Sequence, residues 1–193
     1  CSAFLKSNIV DNNTSGQVGG GIFVGYGVTV TIENCTVADN EALGSNVDDN
    51  GTPLARVGRG GGVAAWFAAA SAVCDSCIFW GGSAKNNEGN QLSLEGTAGA
   101  TVKYSDVQGG QAQVFKDSGA TLTWGVGNLN IDPMFAPTPG DYHLQAMTGR
   151  FDPVTQTWVF DADTSPCVDA GNPALAFDLE PAPAGYAVNM GGY

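Results

Sequence analysis

The chain has 193 residues, of which 28 are glycine, with 43% hydrophobic and only 13% charged content. That profile excludes a disordered tail and an ordinary helical domain, whose surface needs more Lys, Glu and Arg, and it favours turn-rich β-structure. Nineteen acidic residues against seven basic ones leave a net charge of -12 with the cations scattered, which excludes nucleic acid as a partner, since phosphate neutralisation needs clustered Lys and Arg.

In chain order, the first clear strand is Val28-Thr29-Val30-Thr31-Ile32, which alternates with period two, and Asn34-Cys35-Thr36-Val37 continues as a short second strand after a bend. A third strand follows each glycine cluster. Cys35 lies sixteen residues after the start of Gly19-Gly20-Gly21-Ile22, and Cys77 lies seventeen after the start of Gly60-Gly61-Gly62-Val63. The same order recurs through Val63 to Phe67, Ala72-Val73-Cys74 and Cys77-Ile78-Phe79-Trp80, and more weakly through Asn90 to Leu94, Ala100 to Tyr104 and Ser105 to Gln108. A chain that reuses one unit builds a stack.

Short strands separated by Gly and Asn, with no helix-period segment, predict an all-β parallel β-helix, a solenoid that winds around one core. Glycine is needed where a corner takes positive φ or where rungs approach closely, and Asn8, Asn13, Asn34 and Asn40 stand at corners where Asn tolerates left-handed backbone and forms side-chain ladders. Residues 1–127 are read as rungs, broken at 44–59 by an insertion of roughly fifteen residues that forms a loop on one face, often the binding face in repeat architectures. From residue 128 proline is frequent and the glycine pattern stops, so 128–193 is read as a loop-rich C-terminal cap packed on the last rung, covering strand edges that would otherwise pair with other chains.

Five cysteines, Cys1, Cys35, Cys74, Cys77 and Cys167, are an odd number at uneven spacing, against a complete disulfide framework. Cys74-Asp75-Ser76-Cys77 lacks the further ligands zinc needs, and the strand-like residues after it do not fit a redox motif. Buried small hydrophobes, with Cys35 and Cys77 one above the other, are the expected role. No apolar run reaches the roughly 18 residues of a membrane-spanning helix. The start at Cys1 in mid-pattern reads as a piece of a longer protein, with rungs upstream.

These motifs resemble the right-handed parallel β-helix repeat proteins secreted by environmental bacteria, planctomycetes especially. The later runs strengthen the likeness: Tyr104-Ser105-Asp106-Val107-Gln108-Gly109-Gly110, Gly127 to Phe135 with Asn130-Ile131-Asp132-Pro133, Asp141-Tyr142-His143-Leu144 and Ser165-Pro166-Cys167-Val168-Asp169-Ala170-Gly171. They resemble the module called choice-of-anchor Q, whose closing elements are similar to Asp178-Leu179 and Asn189-Met190-Gly191-Gly192-Tyr193; Glu180-Pro181 and Asn189 depart from its usual acids. The resemblance implies a secreted or cell-surface protein and no single activity.

The insertion supplies Asp48, Asp49, Arg56 and Arg59, where both charge signs cluster, and these are the candidate binding residues; no catalytic residue is assigned. Asp161, Asp163, Asp169 and Asp178 fall in a loop-rich segment with the hard oxygens that suit calcium, so they are the candidate metal ligands, against the plainer reading of acids that cap their own turns. His143 is expected on the outer side of a strand whose Tyr142 and Leu144 face inward, with Asp141 on its own side. Trp66, Phe67, Trp80 and Trp124 form a sugar-stacking platform if several face outward, and core otherwise. The leading expectation is a non-catalytic structural or adhesive β-helix in contact with extracellular polysaccharide or cell-surface glycan. The alternative is the C-terminal part of a polysaccharide lyase or glycoside hydrolase.

Overall fold

The computed structural model describes residues 1–44, 52, 58–176, 185 and 187–192. The first four strands are β1 (Ser2–Lys6), β2 (Ile9–Asp11), β3 (Thr14–Ser15) and β4 (Ile22–Val24). The next pass gives β5 (Thr29–Glu33), β6 (Thr36–Ala38), β7 (Glu41–Ala42) and β8 (Val63–Trp66). A third gives β9 (Ser71–Asp75), β10 (Ile78–Trp80), β11 (Ser83–Ala84) and β12 (Leu92–Glu95). The fourth, incomplete, gives β13 (Gly99–Lys103), β14 (Asp106–Val107) and β15 (Phe115–Lys116), and β16 (Thr121–Trp124) begins a fifth.

Each strand pairs in parallel with its counterpart one pass later, which makes four sheets: A (β1-β5-β9-β13-β16), B (β2-β6-β10-β14), C (β3-β7-β11) and D (β4-β8-β12-β15). The protein is all-β, and this order of parallel sheets is compatible with a parallel β-helix. Twenty residues, 43–62, join β7 to β8, whereas six, 16–21, join β3 to β4 and seven, 85–91, join β11 to β12. The complete first pass, including β1 to β3, goes beyond the sequence reading, because Ser2–Lys6 carries neither of the glycine and cysteine marks that flag later passes.

Alternation sends every second side chain inward, and the registers stack them in columns. Leu5, Ile32, Cys74, Val102 and Trp124 form one such column, and Val10, Val37, Phe79 and Val107 another. Phe79 is fully buried, which is worth about 1.5–3 kcal/mol of transfer energy. The corner between sheets A and B is set by one left-handed residue per pass, Ser7, Asn34, Ser76 and Tyr104, at φ 52°, 51°, 57° and 46°. Asn40 completes the next corner: its Nδ2 donates to the Val10 carbonyl at 2.7 Å, and its Oδ1 accepts from Asn13 N–H and Asn13 Nδ2, both at 3.0 Å.

Residues 128–131 continue the stack on β14, where Leu129 bridges Asp106 in parallel, but the segment beyond them leaves the last rung. It lies along the outer face of sheet B, where Leu144, Cys167 and Met190 pack on Ile78 with Trp80, Leu129 and Phe135 around them. Ile78 explains this placement, since alternation turns it outward opposite the inward Phe79, and an apolar side chain there needs cover. Asn34 Nδ2 donates to the Asn189 carbonyl at 3.0 Å, and Gly192 N–H donates to Thr36 Oγ1 at 3.1 Å. Tyr142 OH donates to Asp39 Oδ2 at 3.0 Å. The same segment carries an antiparallel hairpin, β17 (Arg150–Asp152) and β18 (Thr157–Val159).

Candidate functional site

The outer face of sheet D gathers the most distinctive side chains. Leu92 and Leu94 of β12 point into the core, so Ser93 and Glu95 point out, as do Ala64 and Trp66 of β8 and Phe23 of β4. Registry places Phe23, Ala64, Ser93 and Phe115 in one outward column and Trp66 beside Glu95 in the next. Phe23 meets Trp66 edge to face, with centroids 6.4 Å apart and planes at 82°. Phe67 lies flat on Trp66, at 4.4 Å and 5°.

Phe67 holds φ at 81°, a conformation that costs a bulky residue about 1–3 kcal/mol and that fixes its ring against Trp66. Phe67 and Phe23 remain 42% and 49% exposed, and Tyr26, in the turn after β4, is 74% exposed. An aromatic ridge thus faces solvent along two passes. Beside it, Arg59 lies 4.0 Å over the Phe115 ring, with Nε 2.5 Å from Glu88 Oε2 and Nη1 3.1 Å from the fully buried Glu95. Burial alone would lower the affinity of Arg59 for its proton, but hydrogen bonds to Glu88 and Glu95 outweigh it and raise its pKa.

Of the four candidate binding residues, Arg59 is on this face, while Asp48, Asp49 and Arg56 lie outside the described residues. Its partners Glu88 and Glu95, 29 and 36 residues away, carry no local signal in the sequence. Only registry could have flagged Glu95, as the partner of Trp66 in the next pass. The expected aromatic platform is realised by Trp66 and Phe67 alone. Trp80 packs beneath the C-terminal segment, and Trp124 turns inward against the core.

The calcium candidates among the described residues, Asp161, Asp163 and Asp169, are not gathered into one group. Asp161 is held by Arg150, whose Nε is 2.9 Å from Oδ2, and accepts the Ala146 N–H at 2.9 Å. Asp163 is exposed, Asp169 N–H donates to Asn189 Oδ1 at 2.7 Å, and Asp178 lies outside the described residues. Among the described residues no three His, Cys, Asp or Glu side chains form a group able to hold a metal ion. Asp161 is therefore an ion-pair partner, a correction that follows from Arg150 occupying both of its oxygens.

His143 faces out while Tyr142 and Leu144 are buried, as the alternation predicts, although only a bridge between Phe135 and Leu144 forms there in place of a strand. Its Nδ1 is 2.5 Å from Asp141 Oδ1, and Arg150 Nη1 is 3.7 Å from Asp141 Oδ2. This cluster anchors the base of the β17–β18 hairpin, whose Phe151 and Trp158 pair across the strands. Phe151, Trp158 and Phe160 are exposed, a second aromatic surface that the sequence reading missed although the alternating Thr157-Trp158-Val159-Phe160 marks it.

All five cysteines are free thiols, and all but Cys1 are buried. Cys35 and Cys77 occupy the same corner one pass apart, Ile78 N–H donating to the Cys35 carbonyl at 2.9 Å. Burial raises the Cys74 pKa to about 12 and that of Cys77 as well, so both are inert core thiols at neutral pH.

No family model, curated protein or solved structure matches this chain. The class its geometry defines is an all-β protein of parallel sheets with an aromatic ridge on one outer face. Among the described residues no helix is long and apolar enough to cross a membrane.

Proposed function

We propose that the chain is a right-handed parallel β-helix of a secreted or cell-surface protein, with residues 128–193 of the choice-of-anchor Q type, and that it serves a non-catalytic structural or adhesive role in contact with glycan. The stacked Trp66–Phe67 pair carries this reading: two rings are held coplanar at a backbone cost, with one left open to solvent, which is what the apolar face of a pyranose requires. The net charge of -12 selects against polyanionic chains and for neutral polysaccharide. The exposed rings of the β17–β18 hairpin offer a second surface of the same chemistry.

Binding to an array of neutral and acidic glycans, followed by calorimetry on the best neutral hit, tests the reading. Trp66→Ala should weaken that binding by about tenfold or more, as truncating a central aromatic anchor does. Unchanged affinity in a folded variant refutes it. One observation favours the alternative, the C-terminal part of a polysaccharide lyase or glycoside hydrolase: Arg59 converges with Glu88 and Glu95 on one face. Depolymerisation of polysaccharide that Glu95→Gln abolishes, assayed with and without chelator, would decide for the enzyme.

A further inference from the structure

The C-terminal segment is fastened across the outer face of sheet B by two short stretches, 165–172 and 188–192, which together form a strap. Met190 N–H donates to the Cys167 carbonyl at 2.9 Å, Gly191 N–H to the Ser76 carbonyl at 2.9 Å, and Asn172 N–H to Ser76 Oγ at 2.8 Å. Two buried carboxyl groups lie under the strap: Asp75, which accepts from Asn172 Nδ2 at 2.9 Å, and Asp106. Asp106, fully buried in β14, follows Ile78 in the outward column, and its backbone bridges to Leu129 on the other side.

The neighbours of the Asp106 carboxyl are poor partners for a charge. Its Oδ1 accepts the Ile131 N–H at 3.2 Å, and its Oδ2 is 3.4 Å from Cys167 Sγ, a weak donor. Asp132, on the chain beyond Leu129, is a charge of the same sign, while Asp75 at the adjoining corner pairs with Lys103 at 2.8 Å and accepts from Asn172 Nδ2 at 2.9 Å. We propose that the strap is a proton-gated latch: Asp106 is sealed under Cys167 as the neutral acid, and its ionisation releases residues 165–172 and 188–192 from sheet B.

Burial, followed by the repulsion of Asp132, raises the Asp106 pKa from 3.8 to about 6 despite hydrogen bonds that lower it. The sign follows from linkage. A carboxyl whose pKa is higher beneath the closed strap holds the latch fully below the ordinary carboxylate pKa, and that hold is lost as pH rises through about 6. The equilibrium for opening should then rise with pH, by up to about 100-fold for a shift of this size. Release removes Cys167 and Met190 from Ile78 and so uncovers part of that apolar face.

Hydrogen exchange on the full chain at pH 4.5 and pH 7.5, corrected for intrinsic rates, reads the latch directly. Protection of the Asn172, Met190 and Gly191 amides should fall by about 10- to 100-fold at the higher pH, while the amides of Val37 and Phe79 in the core stay protected. In Asp106→Asn the strap amides should be equally protected at both pH values. Equal protection in the unaltered protein, a parallel loss in strap and core, or a pH dependence that survives Asp106→Asn would each overturn the proposal.

Discussion

Replacing Gly61 with Ala tests whether close approach of successive passes, and not backbone conformation, keeps the glycine cluster. A Cβ at Gly61 would stand 2.5 Å from the Asn90 carbonyl oxygen, and closer still to that of Ser83, both fixed backbone atoms of the next pass. Relief requires the two passes to separate at that corner. Separation weakens the bonds from Gly62 N–H to the Asn90 carbonyl, 3.1 Å, and from Ser83 N–H to the Asn40 carbonyl, 2.9 Å. Two hydrogen bonds at about 1 kcal/mol each and an overpacking strain of about 1–3 kcal/mol give a loss of about 3–5 kcal/mol. Gly27→Ala is the matched control: its φ is +65° and nothing lies within 4 Å of the added carbon, so only conformational strain of about 1 kcal/mol applies. Urea unfolding of both variants gives the comparison through midpoints at constant slope. A Gly61→Ala loss no larger than that of Gly27→Ala would refute the close-approach argument.

Two further outcomes follow from buried groups. Arg59→Met leaves Glu95 buried without its guanidinium and should destabilise the fold by about 3–5 kcal/mol, part of it recovered in the double variant with Glu95→Gln; denaturant midpoints for the three proteins check this. Thiol titration should find one reactive cysteine, Cys1, in the native protein and five in urea, and more than one fast-reacting native thiol would contradict the burial of Cys35, Cys74, Cys77 and Cys167.

Much of the stack was legible along the chain because its constraints are local. A corner that needs left-handed backbone restricts a single position, so Asn34 stands out, and a strand that faces core on one side shows it by alternation, as in Thr29–Glu33. The candidate site was less legible. Trp66 and Phe67 were visible as aromatics, but their exposure depends on which parity of β8 faces outward, and Arg59 gains its role only from Glu88 and Glu95 in the following pass.

What residue order settles here is the repeat itself, its cysteine and glycine columns and the place of the insertion, because those follow from chain geometry within one pass and its neighbour. What the folded chain alone decides is where the last third goes. Asn34 and Asn189 are 155 residues apart, and no local pattern announces that they meet. Their contact follows from the cover that outward Ile78 needs, so the segment starts on the last rung at Leu129 and then runs along sheet B, with a buried carboxyl, Asp106, beneath it.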